Sequence, residues 1–179
     1  SIKLAAQQID AGNMPDISNP EGTDFFFLKN LDETEVAKMI VKLRTEIIPA
    51  KRGVDPLHDI HVVAPMYKGD AGVTNLNVLM QMIMNPKESF VKCGNTFFKK
   101  DDKVMQTRND YEKDVYNGTV GIIETINGFD NSTEVDFGFH KPIPYSSLEL
   151  GDLDLAYATT VHKAQGSEYP VVIIPLVHT

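Results

Sequence analysis

The strongest constraint on what this chain can fold into lies near its end, in the stretch LAYATTVHKAQGSEYPVVIIPL, Leu155 to Leu176. It reads as a strand, a polar connector with one short helical turn, and a second strand. The first strand is predicted over Leu155 to Ala158. The second, Val171 to Leu176, is a continuous apolar run of the kind buried on both faces of a parallel sheet. Any short turn could join two such strands. This connector instead carries Thr159, Thr160, His162, Lys163, Gln165, Gly166, Ser167 and Glu168. Hydroxyls, an imidazole, an ammonium, an amide and a carboxylate are thus concentrated where parallel strands end, which is where α/β proteins place their chemistry.

The totals fit that reading. A length of 179 residues suits one medium domain or a domain with an inserted module. Hydrophobic residues make up 42%, enough for a real core. No run approaches the length of a membrane span, and no leader pattern opens the chain, so a cytoplasmic location is expected. The single cysteine, Cys93, excludes an internal disulfide framework or a cysteine-based zinc site. A net charge of -8 argues against nucleic-acid binding by bulk positive charge. It is compatible with a narrow polar groove holding a few cationic contacts. The chain begins at Ser1 inside a helical pattern and stops at Thr179, shortly after a core strand. This gives the expectation of a piece of a longer protein.

Read in order, Ile2 to Ala11 is predicted as a helix stopped by Gly12. A loop follows, and then Asp24 to Lys29 (DFFFLK) as a short buried strand. Asp32 to Ile48 has the clearest helical periodicity, with Asp32 and Glu35 as a capping-box-like pair and Pro49 as the stop. Ile60 to Ala64 is a buried strand. It runs into Pro65 to Gly72 and a helix over Val73 to Met84, a turn that would leave backbone N–H groups free for an anion. His58 and His61 read as structural or solvated, and no spacing supports a metal site. Asp102 to Thr107 is a strand followed by Arg108, Asn109, Asp110 and Tyr111. Asn117–Gly118 is a tight turn. From Thr119 to about Leu150 helical periodicity gives way to short alternating strands, Val120 to Ile126, Glu134 to Phe139 and Ile143 to Leu148, which predict a small antiparallel barrel. The barrel carries an excess of acidic residues, so any nucleic-acid contact would come from its edges, at Phe139, His140 or Tyr145.

The string TTVHKAQGSE before an apolar strand resembles motif V of superfamily 1 helicases, and most closely that of the RecD-like branch. Two further segments are similar to that family in the same order. One is APMYKGDAGV at Ala64 to Val73. The other is DKVMQTRNDYEKDVYNGTVG at Asp102 to Gly121. The resemblance implies a RecA-like (P-loop NTPase-type) α/β domain, a parallel sheet flanked by helices, interrupted by an inserted SH3-like antiparallel β-barrel. The expected division is 1–116 for the first part of the second RecA-like motor domain, 117–150 for the barrel, and 151–179 for the return to the motor domain.

The resemblance also implies an ATP-dependent 5′→3′ DNA helicase or translocase in recombination and repair. In it this chain would supply one wall of the ATP cleft and part of the single-stranded DNA track. Gln165, Gly166, Ser167 and Glu168 would face the nucleotide, with Glu168 suited to ribose hydroxyls. Thr160, His162, Lys163, Met66, Tyr67, Lys68, Gln106, Arg108 and Asn109 would face DNA. Each of these sets follows a predicted sheet strand, which would place them on one edge if the strands are parallel. ATP and Mg2+ are the implied cofactors. Single-stranded DNA, the first RecA-like domain and the subunits of a nuclease–helicase complex are the implied partners. No G-x-x-x-x-G-K-[ST] loop, magnesium carboxylate or arginine-bearing motif VI occurs in the chain, so the expectation is that it neither hydrolyses ATP nor unwinds DNA alone. Two other readings remain open here: a non-catalytic nucleic-acid-binding scaffold with a degenerate motor fold, and a related superfamily 1 motor of the RNA helicase or conjugative relaxase kind.

Overall fold

The computed structural model describes residues 1–29, 32–138 and 141–176, and the fold below is that of these residues. Phe139 and His140 lie outside them. The chain forms two units, Ser1–Asp32 and Glu33–Thr179. In the first, the Ser1 hydroxyl caps helix α1 (Ile2–Asp10). Ala5 is buried, while Ile2, Leu4 and Ile9 are exposed. The predicted strand at Asp24 to Lys29 is not one. Asn19 takes both backbone groups of Phe27, donating through Nδ2 at 2.9 Å and accepting at Oδ1 at 2.7 Å, so that polar pairing is local and no ladder forms there.

The second unit holds the core. Helix α2 (Glu33–Lys42) does not stop at Pro49 but continues through a π-helical turn, Leu43–Ile47, into α3 (Ile48–Arg52), which ends at left-handed Gly53. The Ile48 N–H reaches back five residues to Leu43. That wider turn relieves the clash a proline ring makes with the preceding turn, and Pro49 then occupies the first turn of α3, where its missing N–H costs least.

Strand β1 (Ile60–Ala64) is buried at every position. It lies between β9 (Ala158–Thr160) and β10 (Val171–Ile173), parallel to both. The connector predicted as polar therefore leaves the carboxyl end of β9 and crosses β1 to reach β10. The apolar run at 171–176 is shorter as a strand than expected and is not buried on both faces. Among the described residues β10 is the sheet edge, with Val172 at 43% and Ile174 at 58% exposure. Helix α4 (Val73–Met84) packs against β9. Its Asn77 donates Nδ2 to the Ala158 carbonyl at 3.0 Å and accepts the Ala158 N–H at 2.8 Å, covering the other edge.

Strands β2 (Val91–Cys93) and β3 (Thr96–Phe98) form a hairpin. Strands β4 (Lys103–Gln106), β5 (Val120–Asn127), β6 (Ser132–Asp136), β7 (Ile143–Tyr145) and β8 (Leu153–Leu155) form a five-stranded antiparallel sheet in the order β7-β6-β5-β4-β8. This corrects the expectation that Lys103–Gln106 belongs to the parallel sheet. The strand is buried at all its positions, and such a run is common to central strands of either kind. The antiparallel sheet also extends past the 117–150 span at both ends, through β4 and β8. Only Ala156 and Tyr157, both fully buried, separate β8 in this sheet from β9 in the parallel one.

The two sheets meet around Asp102, a buried carboxylate that accepts hydrogen bonds from Gln81 Nε2 (2.5 Å), Asn85 Nδ2 (2.7 Å), the Lys99 N–H (2.7 Å) and the Tyr157 hydroxyl (2.9 Å). Burial pushes its pKa up, against the pull of those bonds. Nearby, fully buried Arg44 donates to the carbonyls of Pro56 and Tyr157 and lies over the Tyr157 ring. Desolvation lowers its pKa to about 10.

Candidate functional site

The polar connector begins at Thr160, whose hydroxyl caps the single helical turn α5 (Val161–Ala164) by accepting the Lys163 N–H at 3.3 Å. Thr160 is buried, so its hydroxyl is committed to the cap before any ligand arrives. The turn presents His162 outward and ends where Gly166 adopts φ +81°, a left-handed conformation that glycine takes without strain. His162, Lys163, Gln165, Gly166 and Ser167 line a cleft of about 380 Å³, and its opposite wall is the Asn117–Gly118–Thr119 turn between β4 and β5. Residues expected to face DNA and residues expected to face nucleotide therefore share one cleft. Glu168 is exposed and does not line it.

Lys163 Nζ lies 3.0 Å from Asp154 Oδ2 on β8, so the connector is tied to the antiparallel sheet by charge. Of the two roles open to this lysine, phosphate contact or pairing with a carboxylate, the structure shows the second. The pair is partly solvated, and a double-mutant cycle on Lys163→Ala and Asp154→Ala should give a coupling of about 0.2–1 kcal/mol in urea unfolding.

The far end of the connector is held more firmly. The Tyr169 ring stacks on His61 of β1 with centroids 4.2 Å apart and planes 8° off parallel. Lys103 of β4 sits 5.4 Å above the same ring and donates Nζ to the Leu57 carbonyl at 2.7 Å. His61 Nε2 is 2.7 Å from the Thr159 hydroxyl. Desolvation, with the charges of Lys103 and Arg44, lowers the His61 pKa to about 3, so the ring is neutral at neutral pH. Desolvation likewise lowers Lys103 to about 8. His61 is thus a packing residue beneath the connector. Among the described residues no group of three His, Cys, Asp or Glu could hold a metal ion.

Met66, Tyr67 and Lys68 follow β1, whose Ala64 is paired in register with Thr160 of β9. Their loop and the connector therefore leave the same edge of the sheet side by side. Tyr67 and Lys68 are exposed and Met66 half-buried. The anion site expected at the start of α4 does not form. The Val73 and Thr74 N–H groups donate to the carbonyls of Met66 (3.0 Å) and Tyr67 (3.1 Å), so the loop closes its own helix end.

The third predicted set is divided. Gln106 is 1% exposed and its Oε1 accepts the Tyr145 hydroxyl at 2.8 Å, so it serves the barrel interior and offers no surface contact. Arg108 is exposed, 3.5 Å from Asp152. Asn109 accepts the Asn117 N–H at Oδ1, 2.9 Å, and so supports the cleft wall. Because β4 lies in the antiparallel sheet, this set does not share the parallel-sheet edge. The wall at Asn117–Thr119 was not among the predicted site residues. Its signal was the Asn117–Gly118 turn, which reads as a connection and carries no sign of what it faces.

Residues 76–137 match the ATP-dependent RecD-like DNA helicase SH3 domain family, and residues 155–179 match the UvrD-like helicase C-terminal domain. The ATP-dependent RecD2 DNA helicase of Deinococcus radiodurans is 36% identical over 114 residues, which is 64% of this chain and 16% of that protein. Both matches liken parts of the chain to helicases, the first to those of the RecD-like kind. The RecBCD enzyme subunit RecD of Mycobacterium tuberculosis is 34% identical to this chain over 71 residues, 40% of the chain and 12% of that protein. The chain thus spans 16% and 12% of the lengths of these relatives. A crystal structure of Pif1 helicase from Bacteroides in complex with ADP-AlF3 and ssDNA shares the fold, with a TM-score of 0.50 at 19% identity over 87% of this chain and 45% of that one.

Proposed function

We propose that this RecD-like chain is the second motor-domain segment of an ATP-dependent DNA helicase, with its barrel inserted between α4 and β9. The observation that carries the proposal is the cleft where the 162–167 connector meets the barrel turn at 117–119. Such a joint touches both a nucleotide-facing sheet edge and a polar track, which a motor needs in order to couple the two. His162 is an exposed donor able to hydrogen-bond phosphate or stack on a base. Gln165, Gly166 and Ser167 bring an amide, bare backbone and a hydroxyl to the same cleft. Glu168, outside it and solvated, is an acceptor suited to ribose hydroxyls of a nucleotide held between two motor domains.

ATP with Mg2+ would supply the phosphoryl chemistry in the longer protein, and this chain's residues would bind and orient. The 5′→3′ direction, a role in recombination and repair, a cytoplasmic location and membership of a nuclease–helicase complex belong to the same proposal and rest on the family resemblance. The test uses the longer helicase that carries this segment. His162→Ala should reduce DNA-stimulated ATP turnover by about tenfold, while Glu168→Ala should raise the KM for ATP by a similar factor. Wild-type kinetics in both variants would remove the connector from the mechanism.

A further inference from the structure

The connector is fastened at both ends to one side chain. His61 stands on β1, the middle strand of the parallel sheet, and its Nε2 lies 2.7 Å from the hydroxyl of Thr159, on the strand that leads into the connector. The same imidazole carries the ring of Tyr169, at the connector's exit, with centroids 4.2 Å apart and planes 8° off parallel. Strand β10 follows at once. Pro170 keeps Tyr169 out of helical backbone, and the Val171 N–H donates to the Asp59 carbonyl at 3.0 Å. The connector thus crosses β1 with its first and last residues held by one ring.

The partners of Tyr169 show what kind of contact this is. His61 is fully buried, while Tyr169 is half-buried and sits on it from the connector side. Its second partner is the ammonium of Lys103, 5.4 Å from the ring centroid. A tyrosine placed for apolar burial would be set among aliphatic side chains. One set against an imidazole and an ammonium is held by the direction of its ring plane, because stacking and cation–π contact both depend on it. Lys103 belongs to β4, so the exit of the connector is also tied to the antiparallel sheet.

The two halves of the connector are anchored separately. The Val161–Ala164 half is held by the Thr160 cap and by the Lys163–Asp154 pair. Gly166 divides it from the rest, at φ +81° and with nothing within 4 Å of a Cβ, so the first half imposes little on the second. Glu168 is exposed, and the backbone decides where its carboxylate stands. The anchor on that backbone is Tyr169, the next residue.

We infer that Tyr169 is a positioning residue for the nucleotide: stacked on His61 and held by Lys103, it fixes the backbone that presents Ser167 and Glu168 and does not itself touch the ligand. This rests on the proposed function above, in which residues 165–168 face ATP. The test uses the longer helicase and reads the KM for ATP, kcat and the Kd for a single-stranded oligothymidylate side by side. Tyr169→Leu, which keeps an apolar side chain and loses the ring, should raise the KM for ATP about fivefold, with kcat and the DNA Kd within about twofold of wild type. Tyr169→Phe keeps the stacked ring and should return the KM to within about twofold of wild type. Amide hydrogen exchange in Tyr169→Leu should quicken over 165–169 and stay unchanged over 161–164. Failure of Tyr169→Leu to fold, or an equal loss of kcat, ATP binding and DNA binding, would overturn the positioning role in favour of a purely structural one. An unchanged KM in Tyr169→Leu while Glu168→Ala raises it would overturn the positioning role alone. An unchanged KM in both variants would overturn the nucleotide-facing reading of 165–168, and this inference with it.

Discussion

Replacing Asp102 with alanine is expected to destabilise the fold by about 3–5 kcal/mol, enough to unfold many domains of this size. The carboxylate is fully buried and accepts from α4 through Gln81 and Asn85, from the β3–β4 connection through the Lys99 N–H, and from the strand junction through Tyr157. Removing it leaves donors from three parts of the chain without an acceptor in a site water does not reach. Gln81 and Asn85 keep their second bonds to the Phe97 and Lys100 carbonyls, which limits the loss. Urea unfolding of the two proteins measures the difference, and a loss below about 1 kcal/mol would show that the surroundings re-pair without Asp102.

The same group gives a pH signature. Burial raises its pKa above the ordinary 3.8, so the folded chain holds the proton more tightly than the unfolded chain does. Its contribution is fully present below 3.8 and is lost as pH rises through the raised value. The stability of the wild type relative to Asp102→Asn should therefore fall as pH rises from about 3 toward neutrality, then level off. A difference independent of pH would contradict the raised pKa.

Gly72→Ala should have the next largest effect, about 3 kcal/mol, because the clash is with backbone. A Cβ at Gly72 would lie 2.3 Å from the Lys68 carbonyl oxygen and 2.6 Å from that of Tyr67. No rotamer change relieves such a contact. The loop over Met66 to Lys68 must move, and with it the carbonyls that close the N-terminus of α4. Thermal unfolding should show a lower midpoint, and the exposed Tyr67 and Lys68 should leave the sheet edge they share with the connector. Gly128→Ala is the control, since nothing lies within 4 Å of a Cβ there. Equal midpoints for the two variants would refute the argument.

The connector at 159–168 was legible because it breaks a local rule, placing many polar groups between two apolar strands. The barrel strands were legible from their alternation, and β5, β6 and β7 fall within or close to the predicted spans. What sequence left unread is long-range pairing. Lys103–Gln106 reads as a buried strand in either sheet, and only its antiparallel partners β5 and β8 assign it. Pro49 reads as a helix stop because the π-turn that accommodates it has no distinct residue pattern. The three phenylalanines at 25–27 read as core, yet the Phe27 backbone is taken by Asn19 and the Phe25 N–H by the Thr23 hydroxyl. Half the cleft was missed for the same reason as β4: Asn117–Gly118–Thr119 faces the connector only after the antiparallel sheet has folded.

The junction at Ala156–Tyr157 has a mechanical consequence. One continuous segment, Leu153 to Thr160, serves both sheets, and its two linking residues are fully buried and have no room to swivel. The joint between barrel and parallel sheet is therefore a packed one, pinned by Tyr157 to Asp102 on one side and Arg44 on the other.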